Sequence, residues 1–161
     1  MSDCYTANRL PAAQIEQAFP LLRLAAPEVS LAQWHHYALA ILAGQQPATS
    51  GIIAVRGPQD YISGLFAYQV EQNLQCGSTL QARDVVAAGI GWRGLMAAMV
   101  AAMADVASQH RCDAIHAELL GVAAGSNPTK CLVGEKLREA GFELCRGHLC
   151  KRLSEVPCPR L

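Results

Sequence analysis

The stretch AGIGWRG at residues 88–94 separates a predicted strand, residues 79–86, from a predicted alanine-rich helix over about residues 94–109. Glycine lets the backbone come close to a ligand, because it has no Cβ. The first turn of a helix adds unpaired backbone N–H groups and a partial positive charge. Together these features predict a site for a phosphate or a pyrophosphate, with Arg93 as a further cationic contact. The alternative is that the glycines only turn the chain.

Two common phosphate-binding loops do not fit this stretch. The spacing G-x-x-x-x-G-K-[ST] of a P-loop is absent from the sequence. Residues 89–94 match the dinucleotide-binding pattern G-x-G-x-x-G, and Glu118 lies roughly where that fold places an acidic residue. However, the strands before the loop have an antiparallel pattern, and the sequence holds only one parallel crossover. A dinucleotide-binding fold is therefore not predicted.

The predicted elements follow one another as a strand, two helices, three strands, a helix, a strand, a helix and two strands. Apolar runs and period-two alternation predict the strands, and apolar residues three or four apart predict the helices. Ser30, with Gln33 three residues later, is predicted to cap the second helix, and Pro20 to kink or shorten the first. The predicted ranges are 11–26 and 30–44 for the first two helices, 51–55, 61–70 and 79–86 for the three strands, 113–119 for the next strand, 126–141 for the last helix, and 142–145 and 148–152 for the last two strands.

Composition limits the classes of partner. Apolar residues make up 52% of the 161 positions, which is enough for a core and argues against disorder. Thirteen Lys and Arg balance thirteen Asp and Glu, so no basic excess indicates a nucleic acid or an anionic membrane surface. The longest weakly polar stretch, residues 85–106, is broken by glycines and charges and does not predict a membrane span.

Cysteine usage and the start of the chain indicate a compartment. Seven cysteines are an odd number, scattered and without a secretory context, so reduced thiols are expected. The first residues show no signal-peptide pattern. Cys145, His148 and Cys150 flank a predicted hairpin but contain no C-x-x-C pair, so no metal site is predicted. The sequence thus predicts a soluble, cytoplasmic protein with one domain over residues 1–161.

The order of elements around the glycine-rich loop resembles the GNAT superfamily of N-acetyltransferases. Its members bind acetyl-CoA with a strand–loop–helix unit carrying the motif Q/R-x-x-G-x-G/A. The best register places Gly91 at Q/R, Gly94 at the first glycine and Met96 at G/A. Residues 136–143, with their Gly-Phe turn, resemble the family's last helix, and residues 19–34 resemble its first two helices. The resemblance implies a mixed α/β fold, with a mostly antiparallel central sheet, one parallel crossover and about four flanking helices.

The resemblance also implies an activity. It predicts acetyl-CoA-dependent transfer of an acetyl group to a primary amine of a small molecule or peptide, with no metal. A homodimer is compatible with the apolar content. The residues that the resemblance assigns to acetyl-CoA are Val85, Val86, Gly91, Trp92, Arg93, Gly94, Leu95 and Met96. A backbone N–H near Val85 or Val86 is expected to polarise the thioester carbonyl.

The attacking amine needs a base. Glu118 is the first candidate, with His116 as relay or alternative base, since residues two apart share one strand face. Asp84 is the third candidate, and a solvated sheet edge is the alternative for the first two. Leu137 stands where the family often carries a tyrosine that protonates the thiolate. Two other functions stay open: a catalytically weak or inactive domain that binds acyl-CoA or a protein partner, and a homodimeric structural protein.

Overall fold

The computed structural model describes residues 4–44, 48–120, 128–145 and 148–153, and these residues form seven strands, four α-helices and a 3₁₀-helix. The strands are β1 Thr6–Arg9, β2 Ser50–Arg56, β3 Ile62–Asn73, β4 Gly77–Ala87, β5 Ala114–Leu119, β6 Glu143–Cys145 and β7 His148–Arg152. The 3₁₀-helix spans Ala12–Ala18, and the α-helices are α1 Phe19–Ala25, α2 Leu31–Leu42, α3 Trp92–Gln109 and α4 Pro128–Glu139.

One sheet contains all seven of these strands, in the order β1-β2-β3-β4-β5-β7-β6. Strands β4 and β5 pair in parallel, and the other neighbours pair antiparallel. Parallel neighbours need a long connection, which α3 supplies. The predicted fold class, a mostly antiparallel sheet with one parallel crossover and four flanking α-helices, is confirmed.

Two cores lie on opposite faces of the sheet. Helix α3 buries Met99 and Met103 against one face, whose strands contribute Val55 and Phe66. Helices α1 and α2 cover the other face in a second cluster that includes Trp34 of α2. Successive residues of a strand point to opposite faces, so β2 supplies Ile52 and Ala54 to the second core and Ile53 and Val55 to the first.

The first predicted helix is two elements. A 3₁₀-helix ends at Ala18, and α1 begins at Phe19 with Pro20 in its first turn. Proline lacks an N–H and clashes with the preceding turn, so it is tolerated at the start of a helix but not inside one. The break at Pro20 therefore follows the prediction.

The structure shows the predicted cap of α2 and a helix-ending glycine after α4. Ser30 and Gln33 form the predicted capping box, with Gln33 N–H donating to Ser30 Oγ at 3.1 Å and Ser30 N–H to Gln33 Oε1 at 2.8 Å. Gly141 follows α4 with a φ of +98°, the left-handed conformation expected of a helix-ending glycine. Residues 126 and 127, at the start of the last predicted helix, and the turn at 146–147 lie outside the described residues. Within the described part of the chain, no helix is long and apolar enough to cross a membrane.

Candidate active site

Strand β4 carries a bulge at the point where it pairs with both neighbours. Its register shifts against β3 between the pairs Ala67–Arg83 and Leu65–Val86, and its register against β5 shifts over the same residues. Asp84 takes a left-handed backbone with a φ of +53°. A bulge inserts one extra residue, bends the strand and redirects a side chain, and bulges are common beside active sites. Here the redirected residue is Asp84.

Asp84 is bonded to Tyr37 of α2. The Tyr37 hydroxyl donates a hydrogen bond to Asp84 Oδ2 across the space between α2 and the sheet. Burial of the phenol raises the pKa of Tyr37, and the hydrogen bond and charge of Asp84 raise it further, while the nearby Arg83 opposes this shift. Tyr37 therefore stays a neutral hydrogen-bond donor throughout the physiological pH range.

The other two predicted bases lie on the same face of the sheet as Asp84. Ile115 and Ala117 of β5 are buried in the α3 core, which directs His116 and Glu118 to the opposite face, as predicted. Among the groups that raise the pKa of Tyr37, the charge of Glu118 contributes the least, after burial and Asp84.

His116 lies on this face opposite Gln81 of β4, before the bulge begins. Its Nδ1 is 3.3 Å from the Gln81 side-chain nitrogen on the neighbouring strand. Arg83 is paired with Glu71 at 3.0 Å. The structure therefore brings Asp84 together with Tyr37, and it places Glu118 on the same face of the sheet and His116 beside Gln81.

A cavity of about 460 Å³ opens beside Tyr37, between α2 and strands β2 to β4. Its lining includes Ala40 and Ile41 of α2 and Gln69 and Arg83 of the sheet. The volume lies within the range of small-molecule sites. Tyr37 is therefore reachable by a small ligand.

The glycine-rich loop leads directly into the first turn of α3. Gly91 caps α3 with a left-handed φ of +79°, and the Leu95 N–H donates to the Gly91 carbonyl at 3.1 Å. The N–H groups of Trp92, Arg93 and Gly94 precede this first helical bond, so they have no partner within the helix. A left-handed residue followed by helical residues arranges successive N–H groups in a concave nest that suits an anion.

Leu95 and Met96, two of the residues that the resemblance assigns to acetyl-CoA, lie inside helix α3. The Leu95 N–H is used by the helix, and regular helical bonding uses that of Met96 in the same way. Their side chains are buried in the α3 core, at 0% and 4% exposure. Leu95 and Met96 thus hold the helix on the sheet and offer no free amide, because α3 begins at Trp92, two residues earlier than predicted.

Val85 and Val86, the predicted thioester contacts, take part in the ladders between β4 and its two neighbours. Ala88 N–H donates to the Ser63 carbonyl at 2.9 Å, so alternation directs the backbone groups of Val86 to β3 as well. Leu120 N–H donates to the Val85 carbonyl at 3.0 Å, which places Val85 in the ladder with β5. Ala87 is the next residue of β4 whose N–H points to the β5 side.

Leu137, at the position of the family's tyrosine, is fully buried in the α3 core. It packs against the sheet and offers no proton. Sequence reasoning missed Tyr37, the phenol that does lie at the site, because its hydroxyl partner comes from a strand 47 residues away. Among the residues whose side chains are described, no three His, Cys, Asp or Glu side chains form a metal-binding group.

Comparisons with known proteins agree with the predicted fold. No protein-family model and no curated protein sequence matches the chain. Solved structures do match: the aminoglycoside N-acetyltransferase AAC(6')-Iy in complex with CoA has a TM-score of 0.66 at 12% identity, covering 99% of this chain and 98% of that one. The putative acetyltransferase yncA from Salmonella typhimurium, with its cofactor acetyl-CoA, has a TM-score of 0.64 at 13% identity, covering 97% and 98%. An acetyltransferase of the GNAT family from Staphylococcus aureus Mu50 has a TM-score of 0.61 at 9% identity, covering 94% and 100%. The chain has the GNAT acetyltransferase fold.

Proposed function

We propose that this protein is an acetyl-CoA-dependent N-acetyltransferase that acts on a primary amine of a small molecule or peptide. The observation that carries the proposal is one continuous strand–loop–helix unit. Its strand presents Asp84, held by Tyr37, and its loop presents the anion-binding nest at Gly91. Acetyl-CoA bound by its pyrophosphate at the nest and an acceptor amine at Asp84 would thus meet along β4.

The residues in the first turn of α3 fit the phosphate end of CoA. The amides of Trp92, Arg93 and Gly94 follow that of the cap residue Gly91 as first-turn donors of α3, and Gly94 adds no Cβ among them. The Met96 side chain, which replaces the family's small residue, is buried in the core and does not occupy the nest. Bound acetyl-CoA would supply an activated acetyl group whose leaving thiol has a reference pKa of about 8.5, so the thiolate leaves without an acid.

The chain's own groups would supply the remaining chemistry. The Asp84 carboxylate takes the proton from the acceptor ammonium, directly or through a water, which frees the amine to attack. Tyr37 holds this carboxylate in place as a neutral donor. The Ala87 N–H is directed to stabilise the negative charge that develops on the carbonyl oxygen. Glu118 adds negative charge that favours a cationic acceptor at this face.

An amine panel tests the proposal. Thiol release from acetyl-CoA should accelerate with at least one class among aminoglycosides, amino sugars, diamines and peptide N-termini, and mass spectrometry should find the acetylated amine. The aminoglycoside acetyltransferase among the similar structures makes polyamines with hydroxyl groups the first class to try. Tight CoA binding without any amine-dependent release would instead support the inactive binding domain.

The buried Leu137 is the observation that favours the second candidate function, an inactive CoA-binding domain, since a protonating tyrosine is missing there.

The variant Leu137→Tyr gives a direct prediction. Because the site is fully packed, the larger side chain should destabilise the fold by about 1–3 kcal/mol, and thiol release should rise at most slightly. Urea unfolding and the thiol-release assay measure the two effects. A large gain in rate would contradict the proposal that this chain works without the tyrosine.

Tyr37 gives a prediction for alkaline pH. Its folded-state pKa is raised, so its contribution to stability is complete below the unfolded value of about 10 and is lost as the pH rises through the folded value. The stability difference between wild type and Tyr37→Phe should therefore stay constant from pH 8 to about pH 10 and shrink as the pH rises further, as measured by urea midpoints. Tyr61→Phe, at a side chain 73% exposed, is the control and should show no such change. A difference that stays constant with pH would count against the Tyr37–Asp84 bond.

A further inference from the structure

The N-terminal strand places one aromatic residue on the glycine-rich loop. The Tyr5 hydroxyl donates a hydrogen bond to the Ile90 carbonyl, 85 residues along the chain. Ile90 directly precedes Gly91, the residue that opens the anion-binding nest. Since the Ile90 side chain is 93% exposed, packing of that side chain does not hold the loop.

The position of the Tyr5 ring is itself fixed by the fold. Strand β1 pairs with β2 directly after Tyr5, and the ring packs against the α3 core. Gly57, in the turn between β2 and β3, lies beside the ring, and a Cβ at Gly57 would be 3.2 Å from ring carbon Cε1. Tyr5 therefore reaches the loop from a rigid corner of the sheet.

The hydrogen bond from Tyr5 to the Ile90 carbonyl orients the next backbone N–H, that of Gly91, at the start of the nest. The Ile90 carbonyl and the Gly91 N–H belong to one planar trans peptide and point in opposite directions. Holding the carbonyl towards Tyr5 therefore fixes the direction of the Gly91 N–H. Gly89, with a φ of +149°, and Gly91 lie on either side of Ile90, and glycines lose more conformational freedom on ordering than other residues.

We infer that Tyr5 is a positioning residue that holds the glycine-rich loop in its pyrophosphate-binding conformation. The inference rests on the proposed function. A loop ordered in advance binds more tightly, because less conformational entropy is lost on binding. Tyr5 does not touch the reacting atoms, so it should affect the binding of CoA and leave the chemical step unchanged.

The test compares two acetyl donors in wild type and Tyr5→Phe. Acetyl-CoA carries the pyrophosphate, whereas S-acetylpantetheine lacks it. For acetyl-CoA, Tyr5→Phe should raise KM about 3- to 10-fold at unchanged kcat, the net effect of one hydrogen bond. For S-acetylpantetheine, kcat/KM should stay the same. Tyr61→Phe, at the same end of the sheet, should give no loss with either donor.

The outcomes separate this inference from the proposed function. A wild type that binds no CoA in calorimetry overturns both. A wild type that binds CoA and acetylates an amine, with an unchanged KM for acetyl-CoA in Tyr5→Phe, overturns the role of Tyr5 alone. Equal losses with both donors, or a loss in kcat only, would also overturn it, since a general structural effect does not depend on the pyrophosphate.

Discussion

Gly94→Glu is expected to abolish CoA binding while the protein stays folded. The Gly94 N–H is one of the first-turn donors of α3, so the new carboxylate would lie where the pyrophosphate binds. Two like charges about 4 Å apart near a protein surface repel by about 4 kcal/mol, which corresponds to a roughly thousandfold weaker Kd. The fold should not suffer, because an acidic residue is favourable in the first turn of a helix and glycine is a poor helix former.

The matched control for this variant is Ala101→Glu. Ala101 is exposed on the same helix, two turns further on and about 10 Å along the axis. At physiological salt a charge at that distance is largely screened. Calorimetric titration with CoA should therefore give a wild-type Kd for Ala101→Glu and no measurable heat of binding for Gly94→Glu. Unchanged affinity in a folded Gly94→Glu protein would remove the cofactor assignment.

Asp84→Asn is expected to lower the rate of acetyl transfer by about 10²–10⁴-fold, the usual contribution of a general base. Asparagine suits this position, because it is tolerated in the left-handed backbone conformation that Asp84 adopts. The affinity for CoA should not change, since the nest lies seven residues further along. In the pH–rate profile, the acidic limb of the wild type should disappear in the variant.

Glu118→Gln and His116→Ala are the comparison variants for the base. The sequence ranks Glu118 first, but the bulge and the Tyr37 bond make Asp84 the better-placed carboxylate. Glu118→Gln should keep the acidic limb and lose only a few-fold in rate, and His116→Ala should be close to wild type. If Asp84→Asn keeps the wild-type profile and Glu118→Gln loses it, the base is Glu118.

The fold could be predicted because its signals are local. The alternation in β5, the capping box at Ser30 and the glycine-rich loop before α3 each act over a few residues. Their order along the chain then allows one parallel crossover and fixes the topology. Only the bounds moved, as at Trp92, where α3 starts two residues early and takes the amides of Leu95 and Met96 into the helix.

The site could be predicted only in part, because its geometry depends on partners far apart in sequence. The bulge at Asp84 exists only in the register with both neighbouring strands, which no pattern within β4 reveals. Tyr37 lies on the exposed side of an amphipathic helix, and only the packing of α2 on the sheet brings it to Asp84. At Leu137 the resemblance points to a site position, where the GNAT family often carries a tyrosine, but the structure buries this residue in the core.

The most direct measurement is a crystal structure of the protein grown with CoA. We expect phosphate oxygens within about 2.7–3.2 Å of the amide nitrogens of Trp92, Arg93 and Gly94, the usual range for such hydrogen bonds. We also expect the pantetheine arm to follow β4 past Ala87 and the sulfur to lie on the Asp84 side of the sheet. Density for CoA at another place on the molecule, or none at saturating concentration, would contradict the proposed cofactor site.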